Sequence, residues 1–176
     1  MPKIITSTLA ALALTAPAVF AENVEIYATD MLDNTQNGYC VDISGAQGDQ
    51  ANPADGLQGH TCYSPSGDIY VDQAFDSEQF ADGVLYMPEF DVCAHVASMD
   101  AGAEIGLTDC DGSDEQSFVF SGEGTIFLAA APDMCLTLGE DTRTGRSDTN
   151  QIKVLSLEAC SDDLAAYQTW GNRTAE

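Results

Sequence analysis

Basic side chains are scarce in this sequence. It contains five lysines and arginines against 29 aspartates and glutamates, which gives a formal net charge of −24 at pH 7. A chain with that balance repels the phosphates of nucleic acids and the anionic surfaces of membranes. Nucleic acid is therefore excluded as a partner, and the acidity favours solubility in a salty exterior over a specific cationic partner.

Metal-binding and catalytic patterns are missing as well. Only two histidines occur, and no Cys-x-x-Cys is present, so a structural zinc site is not expected. The acidic run 109–115 lacks the ligand order of an EF-hand and is interpreted as a solvated turn. Ser64 and Ser66 could be grouped with His60 and Asp42 as a triad, but no nucleophile-elbow motif surrounds them. We therefore expect neither an enzyme nor a bound cofactor.

Long apolar runs are confined to the N-terminus. Residues 4–20 are uncharged, and Ala21 follows them just before the first acidic residue. This is the pattern of a secretory signal peptide, residues 1–21, cleaved after Ala21. A membrane anchor is the alternative, but the run is short for a span and contains Pro17. We expect one exported domain, secreted or periplasmic, that is monomeric and not inserted in a membrane.

Helical periodicity is absent too, since no segment repeats apolar residues at helical spacing over three turns. Alternation predicts short strands instead, one at 24–28 and a half-buried one at 39–43. Acidic-Gly dipeptides predict hairpins over 80–87 and 119–128, with Gly at the position of positive φ. A single helical turn is expected at 161–166.

What the sequence does contain is an internal repeat. A cysteine in an apolar strand, a second cysteine after another apolar strand and a closing Gln-x-aromatic recur three times, roughly 40 to 55 residues apart. The copies are Cys40, Cys62 and Gln73-Ala74-Phe75; Cys93, Cys110 and Gln116-Ser117-Phe118; and Cys135, Cys160 and Gln168-Thr169-Trp170. An even number of cysteines in an exported chain favours disulfides, although the number alone leaves the pairing open.

These residues resemble the ricin-type β-trefoil lectins, whose repeats carry the same two cysteines and close on Gln-x-Trp. The resemblance covers about residues 36–173 and implies an all-β fold, the β-trefoil, with a pseudo-threefold axis. Phe75 and Phe118 stand where the family has Trp, and a phenyl ring can still fill the bottom of the barrel. The expected parts are a signal peptide at 1–21, an N-terminal extension at 22–35 and one trefoil domain at 36–176, with repeats at about 36–80, 81–122 and 123–173.

The resemblance also implies roles for the repeated residues. It pairs the cysteines within each repeat, as Cys40–Cys62, Cys93–Cys110 and Cys135–Cys160. It makes the three glutamines buried partners of backbone groups in their own repeats: Gln73, Gln116 and Gln168. It brings the closing aromatics together near the pseudo-threefold axis: Phe75, Phe118 and Trp170.

In this family a sugar pocket combines an Asp two residues after the first Cys, a Gln four before the second, an aromatic two before it, and a closing Asn-Gln pair. Carboxylate and amides bond the sugar hydroxyls, and the aromatic covers the apolar face of the ring. The first repeat offers Asp42, Gln58, His60, Asp72 and Gln73, with His60 in the aromatic place and Asp72 in that of Asn. The other repeats lack the carboxylate and are expected to be structural; they carry His95, Gly106, Thr108 and Glu115, and Thr137, Ser156, Glu158 and Tyr167.

Two functions remain open from the sequence. The first is a secreted carbohydrate-binding module with at most one weak sugar site, in the first repeat. The second is a degenerate trefoil that binds a protein, for instance as an inhibitor, without binding sugar. Asp42 could equally order its loop, and His60 could be a half-buried histidine paired to that carboxylate. An exposed His60 in a concavity beside Asp42 favours the lectin.

Overall fold

The computed structural model describes residues 23–45, 48–64, 67 and 69–174. The predicted signal peptide and its cleavage after Ala21 lie outside these residues and stay predictions. Within the described part, no helix has the length and apolar character needed to cross a bilayer.

Short strands dominate the chain, as the missing helical periodicity predicts. The one α-helix in the described residues, α1, has a single turn and follows a 3₁₀ turn at Asp162–Leu164. The strands are β1 Asn23–Ala28, β2 Tyr39–Ile43, β3 Leu57–Thr61, β4 Phe75–Asp76, β5 Tyr86–Met87, β6 Val92–Val96, β7 Ala103–Thr108, β8 Phe118–Val119, β9 Glu123–Gly124, β10 Phe127–Leu128, β11 Ala131–Leu138, β12 Arg143–Thr144, β13 Gln151–Lys153, β14 Leu155–Ala159 and β15 Trp170–Arg173; α1 is Ala165–Gln168.

In every repeat, the strand of the first cysteine pairs antiparallel with the strand before the second. The pairs are β2 with β3, β6 with β7 and β11 with β14. One sheet runs in the order β12-β13-β3-β2-β1-β15-β9, with β4 also on β1, and the other runs in the order β5-β6-β7-β14-β11-β10-β8. This threefold arrangement is a β-trefoil. One link between repeats positions the site: β13 of the third repeat pairs with β3 of the first, with Ile152 opposite His60.

The closing aromatics lie in one buried apolar cluster. Phe75, Phe118 and Trp170 are each at most 1% exposed. The indole Nε1 of Trp170 donates to the carbonyl of Leu136 at 3.0 Å, so the polar atom of this side chain is satisfied inside the core.

Strand β1, which lies in the segment 22–35 predicted as an N-terminal extension, is part of the folded body. Strand β1 pairs with β15, the last strand, along four residues, and also meets β2. Its Glu25 is fully buried and bonds the guanidinium of Arg173 and the hydroxyl of Ser64. A buried carboxylate needs such partners, and here they join both ends of the chain to the first repeat.

Two local predictions are wrong, whereas the strand predicted at 24–28 and the helical turn predicted at 161–166 are present as β1 and as the turn that leads into α1. Strand β2 is buried on both faces rather than half-buried, because the 3₁₀ turn at Val71–Gln73 packs against it and Gln73 bonds Asp42 on the face predicted to be exposed. The segment 80–87 is not a hairpin: a 3₁₀ turn at Ser77–Asp82 ends at Gly83, whose φ is +79°. The hairpin over 119–128 is present, since β8 and β10 pair there.

Candidate functional site

The cysteines and glutamines form the same frame three times. The disulfides are Cys40–Cys62, Cys93–Cys110 and Cys135–Cys160, the pairs that the repeat register implies. Each bridge ties β2, β6 or β11 to the end of its partner strand, directly beside the place where the closing glutamine bonds.

Each closing glutamine clamps the backbone on both sides of the second cysteine. Gln73 donates through Nε2 to the carbonyl of Thr61 at 3.1 Å and accepts from the N–H of Tyr63 at 3.3 Å. The others repeat this pattern: Gln116 with the Asp109 carbonyl and Asp111 N–H, and Gln168 with the Ala159 carbonyl and Ser161 N–H. The three amides are at most 3% exposed, so these bonds satisfy groups that water does not reach.

Beside this frame lies a cross-strand pair that differs in each repeat. We call it the node: the residue two after the first cysteine and the residue opposite it, four before the second. The nodes are Asp42 opposite Gln58, His95 opposite Gly106, and Thr137 opposite Ser156.

The first node is a closed network of polar bonds. Asp42 accepts from Gln58 Nε2 at 2.9 Å on one carboxylate oxygen and from Gln73 Nε2 at 3.0 Å on the other. The amide oxygen of Gln58 in turn accepts from Arg143 at 3.1 Å. Three of the five residues predicted for the sugar site, Asp42, Gln58 and Gln73, are therefore brought together, and an arginine of the third repeat joins them.

Burial and hydrogen bonding oppose each other at Asp42. Burial, the largest effect, and the nearby carboxylate of Asp72 raise the pKa of Asp42 to about 7, although the amide bonds from Gln58 and Gln73 favour the charged form. Asp72 is also buried; one of its oxygens accepts from the N–H of Gly48 at 2.8 Å, and the other has no partner among the described residues. Asp72 therefore lies behind the node rather than in its mouth.

His60 lies beside the node but differs from both sequence interpretations. It is only 6% exposed, and its Nδ1 lies 3.0 Å from the carbonyl of Thr61 rather than on the Asp42 carboxylate. Its ring packs against Tyr63, with centroids 5.4 Å apart. Burial lowers the pKa of His60, with a smaller opposing effect from the Thr61 carbonyl. The pair of rings forms one wall of a depression.

The second and third nodes are filled by their own side chains. In the second, the ring of His95 covers Gly106 so closely that a Cβ there would lie 2.4 Å from the imidazole. In the third, the hydroxyl of Thr137 accepts from Gln168 at 2.9 Å, and Ser156 donates to Glu158. Glycine and histidine thus compensate each other in size, and threonine replaces the carboxylate as the acceptor for the closing glutamine.

A depression of about 340 Å³ lies over the first node. Its lining includes Asp42, Gln58, His60 and Tyr63 from the first repeat, and Arg143, Gly145, Arg146, Asn150 and Ile152 from the third. The third-repeat residues are not predicted from the sequence, because they reach the site through the pairing of β13 with β3, and no short motif predicts that pairing. The available signal is compositional: two of the few basic residues lie within four positions of each other.

Comparison with known proteins supports the fold. A family model described as the ricin-type beta-trefoil lectin domain matches residues 81–175, more than half of the chain, and covers the second and third repeats. No curated protein matches significantly.

Solved structures extend the likeness to the first repeat. An earthworm lectin C-terminal domain mutant, in complex with 6'-sialyllactose, has a TM-score of 0.55 and 21% identity over 87% of this chain and 98% of that chain. The agglutinin from Abrus precatorius has a TM-score of 0.59 and 16% identity over 91% of this chain and 51% of that one. A designed threefold-symmetric protein, ThreeFoil, has a TM-score of 0.53 and 15% identity over 85% and 96%. Sequence identities this low support a shared fold and nothing further about function.

Proposed function

The chain belongs to the ricin-type beta-trefoil lectin domain family, and we propose that it is a carbohydrate-binding module, not an enzyme, whose sugar site is the depression over the first repeat. One observation carries the proposal: only in the first of the three nodes does a carboxylate, Asp42, face an amide, Gln58, at the floor of a depression.

The donors and acceptors at this floor suit the hydroxyls of a sugar. Each oxygen of Asp42 accepts one amide bond and keeps a further lone pair, and the amide of Gln58 keeps a second N–H. Asp72 and Gln73 support the node from behind. His60 and Tyr63 offer the edge of an apolar wall, which is less than the full face of a Trp. We therefore expect a weak site with a millimolar dissociation constant, about 4 kcal/mol of binding free energy.

Relatives support carbohydrate as the ligand class. The earthworm lectin is described with 6'-sialyllactose, and a second structure of its C-terminal half with GalNAc. Three disulfides in a small domain support an oxidising location outside the cytoplasm, in agreement with the predicted signal peptide.

A second function, a protein-binding scaffold without a sugar site, is favoured by a different observation. Both oxygens of Asp42 are already paired and His60 is only 6% exposed. A network that satisfies itself stabilises a fold without any ligand. Sugar binding and its dependence on the Asp42 carboxylate separate the two functions.

The test is a ligand-observed NMR titration of neutral methyl glycosides against the mature, oxidised protein and Asp42→Thr. Threonine is the matched replacement, because Thr137 accepts the bond of Gln168 at the same place in the third repeat. We expect millimolar binding by the wild type and none by Asp42→Thr, with both proteins folded.

The controls are His95→Ala and Thr137→Ala, which alter the other two nodes and should bind as the wild type does. Equal binding by wild type and Asp42→Thr, or no binding by any protein, would favour the scaffold.

A further inference from the structure

The basic side chains in the described part of the chain are used in two different ways. Among the described residues, Lys153 and Arg173 each pair with a carboxylate: Lys153 with Asp33 at 3.3 Å, and Arg173 with the buried Glu25. Lys153 is itself buried and also donates to the carbonyl of Glu140 at 2.8 Å. Both cations therefore serve the fold.

Arg143 and Arg146 have no such partner. No described carboxylate lies within ion-pair distance of either guanidinium, although acidic residues outnumber basic ones almost six to one. Both are exposed, and both line the depression over the first node. Arg143 uses one donor on the amide oxygen of Gln58, and its remaining N–H groups are left for a ligand.

The backbone holds Arg143 in place. Arg143 lies opposite Ile152, and Ile152 lies opposite His60, so two strand pairings fix it relative to the first repeat. The turn that follows is tight: Gly145 donates to the carbonyl of Asn150 at 2.6 Å, and a Cβ on Gly145 would lie 3.1 to 3.2 Å from atoms of Asn150 and Ile152. The position of Arg143 is therefore built into the sheet.

The acidic side chains nearby are turned to other surfaces. Asp148, on the same loop as Arg146, lines a separate depression with Asp33. Arg143 also borders an adjoining depression with Asp55 and Glu104, without an ion pair to either. The acid that shares the first depression is Asp42, at its floor and bonded by two amides.

We propose that Arg143 and Arg146 select an acidic saccharide, one that carries a carboxylate or a sulfate ester, in the depression over Asp42. The inference rests on the proposed sugar site and names its ligand class. The guanidinium groups form charge-assisted, often bidentate bonds to such anions, while Asp42 and Gln58 bond hydroxyls of the same ring. The net charge of −24 opposes the approach of an anion over long distances, but salt at physiological strength screens charges beyond about 8 Å and leaves contact pairs largely intact.

The experiment compares sugars that differ only at C6. Methyl glycosides of galactose, glucose and mannose are titrated beside their uronates and their 6-sulfates, in physiological salt, against the wild type. We expect at least one uronate or 6-sulfate to bind about tenfold more tightly than its parent hexose. The two acidic arms identify which anion is preferred.

Two variants are compared with the wild type. One is a double variant that combines Arg143→Gln and Arg146→Gln, and the other is Ala130→Glu, the control. Ala130 is exposed and outside the depression, and its change adds negative charge without touching the arginines. We expect the double variant to lose the preference for the acidic sugar and Ala130→Glu to retain most of it.

The outcomes separate this inference from the proposed function. Hexose binding that depends on Asp42, without any preference for the acidic sugars, overturns the arginine inference alone. A preference that persists in Asp42→Thr but disappears in the arginine variant supports the arginines and defeats the role of Asp42. If inorganic sulfate at equal concentration competes fully, the arginines form an ion site only, and the proposal of an acidic saccharide is overturned. If no sugar binds, both proposals are overturned.

Discussion

The first and third repeats hold their closing glutamines alike but differ in what each glutamine meets across the strands. Gln73 and Gln168 each bond the backbone on both sides of a cysteine. Beyond that frame, Gln73 donates to the carboxylate of Asp42, whereas Gln168 donates to the hydroxyl of Thr137. The fold accepts either partner.

A carboxylate at this node is therefore not needed for the trefoil fold. A hydroxyl satisfies the glutamine without a buried charge, so it avoids the desolvation of a carboxylate. The first repeat instead keeps two buried acids, Asp42 and Asp72, close to each other. An arrangement that costs stability in one repeat and is absent from its equivalent is consistent with a role in binding.

The largest effect is expected where the repeats agree, at the closing aromatic. Trp170→Ala removes a fully buried indole and should lower the free energy of unfolding by about 3 to 5 kcal/mol. Trp170→Phe is the matched control, since Phe75 and Phe118 fill the same place in the other repeats; it should cost clearly less. Urea denaturation measures both, and equal costs would show that ring packing does not hold the third repeat.

The pH dependence of stability should separate the two nodes. Burial raises the pKa of Asp42 from 3.8 to about 7 in the folded state, so between these values the folded protein holds a proton that the unfolded chain has released. The stability that this carboxyl contributes is therefore complete below pH 4 and falls until about pH 7, by at most about 4 kcal/mol.

The measurement is the free energy of unfolding of the wild type minus that of Asp42→Thr at a series of pH values. We expect this difference to fall from about pH 4 to about pH 7 and to be constant above it. Asp109→Thr, at an exposed aspartate, is the control for losing an ordinary carboxylate. A difference that rises over the same interval would mean that Asp42 is stabilised as the charged form.

Features that lie within one repeat could be predicted from the sequence. Cys40, Cys62 and Gln73 act on residues of their own repeat, so three copies in register reveal their structural roles. The same holds for Asp42 with Gln58, which oppose each other on neighbouring strands. Repetition makes these roles predictable because the same residue types form the same contacts within each repeat.

Features that join distant segments could not be predicted. Arg143 bonds Gln58 across 85 residues of sequence, and Arg173 bonds Glu25 across 148. Neither contact recurs in another repeat, so register gives no signal. The same holds for β1, because its alternation predicts a strand but does not predict that β15 is its partner.

Removing the closing glutamine should cost more in the first repeat than in the third. Gln73→Ala removes one donor from the Thr61 carbonyl, removes the acceptor of the Tyr63 N–H and deprives the buried Asp42 of one donor, so we expect a loss of about 3 kcal/mol. Gln168→Ala takes the donor away from the hydroxyl of Thr137 rather than from a carboxylate, so it should cost less, about 2 kcal/mol. Calorimetry should show the largest difference between the two costs at pH 8, where Asp42 is charged. If this difference disappears at pH 4, the carboxylate is its origin.

The smallest effect is expected from the third node itself. Thr137→Val keeps the shape of the side chain and removes only the hydroxyl, which accepts from Gln168 at 2.9 Å and donates to the carbonyl of Cys135 at 2.9 Å. Because the amide of Gln168 keeps its bond to the Ala159 carbonyl, the loss should be about 1 kcal/mol. No titrating group is involved, so the loss should be the same at pH 4 and pH 8, unlike that of Gln73→Ala.

Thr108→Val, at an exposed threonine on β7, is the control and should change the free energy of unfolding by less than about 0.5 kcal/mol. A cost for Thr137→Val as large as that of Gln168→Ala would mean that the hydroxyl, and not the backbone clamp, holds the glutamine, and the two repeats would then be less alike than their shared frame indicates.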